Sequence, residues 1–193
     1  SQNSPRIAYT LEILMGEILD VPYRIITADQ EIPEGPLINY TSQEIPDAFS
    51  IPTTGLLLQS DIHAQDHRIL AGDLPLLFAE QGVGADLEFD LFSAVFYLLT
   101  EYEKYTVQHL DQYDRYDQSQ YISQELGLEK FPLVHAYAEI LWEGLKKKGL
   151  SLAPRPRKAF DYRITIDIDN PWKYLHKGLG IAMGGIMKDL IHG

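Results

Sequence analysis

The stretch of sequence that decides the fold is Asp90–Glu103, DLFSAVFYLLTEYE. Aspartate is a preferred residue at the start of a helix, because its carboxylate accepts hydrogen bonds from the first free backbone N–H groups. The apolar positions that follow recur every three or four residues, which is the spacing of one buried helix face. They are Leu91, Val95, Leu98 and Tyr102. We therefore predict a core helix that Asp90 caps.

Two further segments have helical periodicity. Ser4-Pro5 combines a capping residue with proline at the first helical position, and apolar residues at helical spacing follow as far as Ile18. The second segment, Phe131–Lys148, ends in three lysines and Gly149, and cations and glycine are both typical of helix C-termini.

Short β-rich runs lie between the first helix and the central one. They are Tyr23–Thr27, Leu37–Tyr40, Phe49–Pro52, Gly55–Leu58, His67–Leu70 and Leu76–Phe78. The order of a helix, several short strands and then helices predicts an α/β or α+β fold, in which helices pack on a mixed sheet.

Charge divides the chain into two parts. The 193 residues have a net charge of −12. Residues 1–153 hold 9 basic and 24 acidic side chains, a net charge of −15, whereas residues 154–193 hold 7 and 4, a net charge of +3. The change falls at PRPRK, residues 154–158, a composition typical of a linker. We predict an accessory domain over 1–153, a linker over 154–159 and a separate unit over 160–193, with a surface loop inside one domain as the alternative.

Composition excludes several classes of protein. The chain has no cysteine, which excludes thiolate zinc sites, disulfide frameworks and cysteine nucleophiles. The acidic surface repels phosphate backbones, so we expect no nucleic-acid partner. No apolar run approaches the roughly 20 residues of a membrane span, and the first residues do not form a signal peptide. We expect a cytoplasmic location.

One segment carries a chemical pattern. In Arg163–Asn170, isoleucines alternate with polar residues, as in a half-buried strand. Asp167 and Asp169 then share one face, roughly 6.5–7 Å apart. Two such carboxylates suit a divalent metal, and they can divide the roles of metal ligand and general base. The alternative is a plain polar strand face.

The run TIDIDN, Thr165–Asn170, resembles the first motif of polysaccharide deacetylases of the NodB-homology type (carbohydrate esterase family 4), which reads TFDDGP. The resemblance implies that Asp167 is the general base and that Asp169 binds zinc or another divalent metal. Ile168 is an insertion relative to that motif, and Asn170 replaces a glycine. These two differences put the division of roles between the two carboxylates in question.

Several stretches of the chain also resemble an uncharacterised N-terminal domain of bacterial, Bacteroidetes-type proteins that continue into a deacetylase-like barrel. They are Asp90–Glu103, Asp114–Tyr116, Phe131–Val134 and Lys173–Gly178. This resemblance implies that residues 1–153 are a non-catalytic accessory domain in surface polysaccharide metabolism, and that residues 160–193 are the first strand and helix of a barrel. It implies no cofactor in this chain, and a metal-dependent deacetylase as the full-length protein.

Three other features suggest alternative sites. His63 and His67 have the spacing of zinc ligands on a helix, but their flanks predict a strand, a turn and a strand, which favours a polar loop. Six tyrosines in residues 97–121 would suit a carbohydrate-binding surface or ordinary half-buried packing. They are Tyr97, Tyr102, Tyr105, Tyr113, Tyr116 and Tyr121. The small apolar run 178–187 would suit a dimer contact, which makes a protein-interaction domain the third interpretation.

Overall fold

The structure, a computed structural model, describes residues 4–27, 29–80, 84–106, 110–113, 115–117, 121–128, 130–150, 152, 160–167, 178, 180, 181, 183 and 190. Contacts divide the chain into two units, Ser1–Pro156 and Arg157–Gly193. The first unit contains every helix and strand named below.

Helices supply most of the regular structure of the first unit. They are α1 (Pro5–Leu11), which continues as a π-helix over Glu12–Ile18, α2 (Leu91–Thr100), α3 (Ile122–Glu125) and α4 (Leu133–Lys147). Ser4 caps α1 and Asp90 caps α2, each by accepting a backbone N–H bond. Gly149, at φ 80°, follows the end of α4. The helices predicted from periodicity are thus present, with the π-helix as an unpredicted change of winding.

The strands are short and form two separate pairs. β1 (Ile38–Asn39) pairs in parallel with β2 (Phe49–Ser50), and β3 (Ile69–Leu70) pairs antiparallel with β4 (Leu76–Leu77). Within the described residues, the predicted mixed sheet is therefore two small sheets. Side chains link them to the helices: the Tyr137 hydroxyl on α4 donates to the carbonyl of Pro75 at 2.7 Å, just before β4.

The core is built around α2, which packs against both α1 and α4. Residues Leu91 to Tyr97 of α2 are all buried. Residues from both other helices are fully buried in the same cluster, among them Leu14 of the π-helix and Tyr137 and Leu141 of α4. This confirms the prediction of a core helix that Asp90 caps.

Two predicted strands are absent from the structure. Gly55–Leu58 contains a 3-10 helix, Leu56–Leu58, because two successive leucines, Leu56 and Leu57, are both buried. A strand would turn one of them outward, since its side chains alternate between faces. Tyr23–Thr27 has no regular secondary structure and pairs with no described strand.

The described residues of the second unit include 160–167, which have no regular secondary structure. Ile164 and Ile166, predicted to lie on a buried strand face, are 70% and 75% exposed. A strand needs a neighbour to satisfy its backbone groups, and none of the described residues pairs with this segment. The predicted start of a deacetylase barrel is not formed in residues 160–167, and its following helix falls largely outside the described residues.

Candidate functional site

The carboxylate pair of the predicted metal site is only partly described. Asp167 is exposed and lies in the segment without regular structure, and Asp169 is outside the described residues. Nearby, the Asp161 carboxylate accepts a hydrogen bond from Arg163 Nε at 2.9 Å. Among the described residues, no three carboxylate or imidazole side chains form a group that could hold a metal ion. The roles of Asp167 and Asp169 therefore remain predictions.

The two histidines at zinc-ligand spacing lie in chain without regular secondary structure, not in a helix. His63 is exposed and lies 3.9 Å from Asp61. The His67 ring is half-buried, packs 5.2 Å from the Tyr97 ring, and contacts the Gln65 carbonyl through Nδ1. Without the helix, the spacing of four residues does not place the two imidazoles on one face. The polar-loop interpretation is the one that fits this geometry.

The most extensive polar cluster in the described chain surrounds Asp90, whose side chain is fully buried. The Tyr40 hydroxyl donates to its carboxylate at 2.9 and 3.0 Å. Thr54 donates through its backbone N–H at 2.7 Å and through its hydroxyl at 2.8 Å. Ser93 donates in the same two ways, at 3.0 and 2.7 Å. We call Asp90, Tyr40, Thr54 and Ser93 the Asp90 cluster.

Electrostatics of the Asp90 cluster fit a structural role. Burial raises the pKa of Asp90, and the bonds from Thr54 and Ser93 act in the opposite direction. Burial and the neighbouring Asp90 charge raise the pKa of Tyr40 well above its usual value. Both carboxylate oxygens have donors within the domain, so the cluster joins three chain segments and caps α2.

The predicted tyrosine surface divides into core and exposed residues. Tyr97 and Tyr102 are 4% and 3% exposed and pack with their ring centroids 5.6 Å apart, so neither could stack on a sugar. Tyr116 and Tyr121 are half-buried and pack on each other at 5.0 Å. Tyr105 and Tyr113 are 63% and 65% exposed. A carbohydrate-binding surface in this region would therefore depend on the last two.

Tyr113 lies between Asp111 and Arg115, and hydrogen bonds link these described residues. Asp111 Oδ1 accepts the backbone N–H groups of Tyr113 and Arg115, at 2.8 and 3.0 Å. Asp111 Oδ2 accepts Arg115 Nε at 3.2 Å, and the guanidinium lies 4.7 Å from the Tyr113 ring centroid. The bond from the Arg115 backbone is the main cause of a lowered pKa at Asp111. An exposed ring with a fixed carboxylate and guanidinium beside it can stack on a ligand and hydrogen bond to its hydroxyl groups.

Glu103, next to Tyr102 in the sequence, is a second buried carboxylate. Its Oε1 accepts the backbone N–H of Ile122 at 3.2 Å. Among the described residues, its Oε2 is buried and has no hydrogen-bond partner. Its charge contributes to the raised pKa of Tyr97, whose main cause is burial. Glu103 thus ties α3 to the end of α2 at some electrostatic cost.

The family model for DUF7033, a family of unknown function, matches residues 1–150. The chain belongs to this family. The DUF7033 match includes the Asp90 cluster, the tyrosines and Glu103, and it ends before Asp167. No curated protein and no solved structure matches the chain.

Residues of the Asp90 cluster differ in how far the sequence identified them. Asp90 was predicted as a cap from its place before an apolar helix. Tyr40 and Thr54 carried no such signal, since they lie 50 and 36 residues away along the chain.

In the part of the DUF7033 chain that the structure describes, no helix has the length and apolarity that a bilayer crossing requires.

Proposed function

We propose that the DUF7033 region is a non-catalytic accessory domain of a polysaccharide deacetylase-like protein, and that it acts in bacterial surface polysaccharide metabolism. The observation that carries the proposal is the position of the family boundary. The match ends at residue 150, and the deacetylase-like run TIDIDN begins at Thr165. The acidic family region and the basic segment with the motif are thus separate stretches of sequence.

The hydrogen bonding of the buried Asp90 carboxylate supports a structural assignment for that residue. A general base needs a free lone pair that faces the substrate. Both oxygens of Asp90 are engaged by hydroxyl and backbone donors, and the side chain is fully buried. In our proposal the chemistry belongs to Asp167 and Asp169, with zinc or another divalent metal held by Asp169 and by imidazoles beyond this chain.

The first test reads the gene beyond Gly193. We expect the frame to continue with a His-x-x-x-His pair and further alternating apolar strands. If the frame stops there, Asp167 and Asp169 are best interpreted as part of a plain polar segment, and the deacetylase part of the proposal is wrong.

The second test uses that longer protein, assayed for acetate release from acetylated chito-oligosaccharides with added zinc. Asp167→Asn should remove the activity, because the amide cannot accept the proton. Asp161→Asn is the matched control, since Asp161 is also exposed and lies in the same segment. Equal activity in both variants would exclude Asp167 as the base. The 193-residue chain alone should release no acetate, and clear turnover by it would overturn the accessory assignment.

A second candidate function is carbohydrate binding by the domain itself. The observation that favours it is the exposed pair Tyr105 and Tyr113, with Arg115 and Asp111 fixed beside Tyr113. Aromatic rings can cover the apolar face of a sugar while charged groups bind its hydroxyls.

Calorimetric titration with a series of polysaccharide fragments tests this candidate. Tyr113→Ala should weaken binding about tenfold, the loss of roughly 1.4 kcal/mol that one stacked ring provides. Tyr23→Ala is the control, because Tyr23 is also exposed and lies in a different segment. Binding that both variants retain would rule out the Tyr113 loop as the site.

A further inference from the structure

A cavity of about 650 Å³ lies beside the first helix of the domain. Ile7, Leu11 and Met15, from α1 and the π-helix, line one part of it, and Phe92 and Leu145 line another. Most of the remaining lining comes from residues 21–45. The volume is within the range of roughly 300–1,000 Å³ that is usual for small-molecule sites.

The lining is mainly aliphatic. Isoleucine and leucine are its most frequent residues. Many of them come from α1, from the end of α4 and from residues 21–45. Aromatic rings are few, so a flat ligand would find little to stack on. Branched aliphatic walls fit a flexible hydrocarbon chain, whose transfer from water is favourable by about 0.8 kcal/mol for each buried CH₂ group.

The charge of the lining differs from that of the chain. The protein carries 28 acidic side chains, but the described residues that line the cavity include no aspartate or glutamate. Their one charged member is Arg24, which is exposed and forms no ion pair with any described residue. A ligand that enters here therefore meets the guanidinium of Arg24 and no carboxylate among the described lining residues.

Residues 22–36 form a wall of the cavity that few backbone hydrogen bonds hold in place. Among the described residues from 22 to 36, backbone groups take part in hydrogen bonds only in the local turn at Thr27 and Gln30. The segment then joins β1, where Leu37 accepts a bond from Phe49. Displacing residues 22–26 or 31–36 breaks none of the backbone hydrogen bonds between described residues, which favours local opening of this wall.

We propose that this cavity binds one linear fatty acid, with the hydrocarbon chain among the aliphatic residues and the carboxylate at Arg24. The proposal is independent of the accessory role and of carbohydrate binding by Tyr113. It adds an acyl ligand to the DUF7033 domain.

Calorimetric titration of the 193-residue protein with laurate and with dodecyltrimethylammonium, both below their micelle concentrations, tests the site. Non-specific adsorption to a protein of net charge −12 would favour the cationic amphiphile. We expect saturable one-to-one binding of laurate and at least tenfold weaker binding of the cation. No saturable laurate binding, or tighter binding of the cation, would overturn the proposal.

Variants locate the two ends of the ligand. Arg24→Gln should weaken laurate binding about threefold, as expected for an exposed charge pair, and leave binding of dodecanol unchanged. Arg68→Gln is the control, since Arg68 is exposed and does not line the cavity. Ile25→Trp should weaken binding of both ligands because the larger side chain intrudes into the cavity, and Ile62→Trp, outside the lining, should not. Binding unaffected by Arg24→Gln and by Ile25→Trp would place the ligand elsewhere.

The unmodified protein provides a test that does not depend on folding of a variant. Laurate with a photoreactive diazirine in its chain should label residues 7–45, Thr53, Leu58, Phe92 or residues 145–152, which include the lining of the cavity, and excess laurate should suppress the labelling. Competed labels confined to other residues would contradict the assignment.

Discussion

At the scale of single residues, Asp90 determines how the domain holds together. A fully buried carboxylate is costly unless hydrogen bonds replace its lost hydration. Donors from Tyr40, Thr54 and Ser93 do so here. The same oxygens cap α2, so one side chain fixes the start of the central helix and the positions of two loops.

Tyr40→Phe tests the cluster with the smallest possible change. It removes the hydroxyl that donates to both Asp90 oxygens. We expect the free energy of unfolding to fall by about 1.5–3 kcal/mol, the usual value for a hydrogen bond to a charged group. Chemical denaturation measures this. Tyr23→Phe, at an exposed site, should change stability by less than about 0.5 kcal/mol, and equal effects would show that the Asp90 contact contributes little.

Asp90 also predicts a pH dependence. Burial raises its pKa in the folded state above the usual 3.8, so the folded state binds its proton more tightly than the unfolded state does. Its contribution to stability is fully present below pH 3.8 and is lost as the pH rises through the raised value. The stability of the wild type relative to Asp90→Asn should therefore increase as the pH falls from 7 towards 4. A difference that is constant over this range would contradict the raised pKa.

At the scale of elements, the π-helix shows what periodicity can miss. Leu14 and Leu19 are both fully buried, and the Leu19 N–H donates to the Leu14 carbonyl at 3.0 Å. A bond between the N–H and carbonyl of residues five apart is the bond that defines a π-helix. The apolar pattern correctly predicted a helix to Ile18. The winding of that helix depends on how its residues pack in the core, which the sequence alone does not show.

Helix α4 and β2 approach closely at Gly144. A Cβ atom placed there would lie 2.7 Å from Cζ of Phe49, whose ring is buried. Alanine is favoured over glycine in helices by about 1 kcal/mol, yet we expect Gly144→Ala to destabilise the protein by about 1–3 kcal/mol through overpacking.

Gly16→Ala is the matched control for this prediction, because a Cβ there meets nothing within 4 Å. It should leave stability unchanged or slightly raised. In a double-mutant cycle, Phe49→Leu should relieve the cost of Gly144→Ala. A Gly144→Ala variant as stable as the wild type would show that the ring moves aside freely.

Strands were harder to predict than helices. The β-rich runs His67–Leu70 and Leu76–Phe78 were correctly predicted, and they contain β3 and β4, which pair antiparallel. Leu56 and Leu57 were wrongly assigned to a strand, since consecutive apolar residues are compatible with either state. Which state forms was decided by burial of both side chains in the common core.

At the scale of the whole molecule, the apolar core and the residues packed against it lie between Ile7 and Leu152. Residues 1–153 should therefore fold alone. We expect this fragment to unfold cooperatively, with a melting temperature within a few degrees of that of the 193-residue chain. Calorimetry measures both, and a fragment without a cooperative transition would mean that residues 154–193 complete the fold.

The same pair of proteins tests association through residues 178–187. Ile181 and Met183 of this segment are exposed. If the segment is a dimer contact, sedimentation should detect dimers of the whole chain and monomers of the fragment. Dimers of both would place the contact in the DUF7033 domain.

The candidate sites were only partly predictable at this scale. Asp167 and Asp169 stood out because an alternating motif places them two residues apart, but a strand without a partner does not form in residues 160–167. The cavity could not be predicted, since its lining brings Ile7, Ile25 and Leu145 together from distant parts of the chain.

The Asp90 cluster also has a consequence for the order of folding. The Ser93 hydroxyl bonds to Asp90 across three residues, whereas Tyr40 and Thr54 must close loops of 50 and 36 residues to reach it. Long loops close late, because their entropy cost precedes any gain from contacts. Ser93→Ala should therefore slow refolding, and Tyr40→Phe should mainly accelerate unfolding. In stopped-flow experiments we expect the central helix to form at Asp90 first. Tyr40 and Thr54 would bond to the same carboxylate only after the main folding barrier.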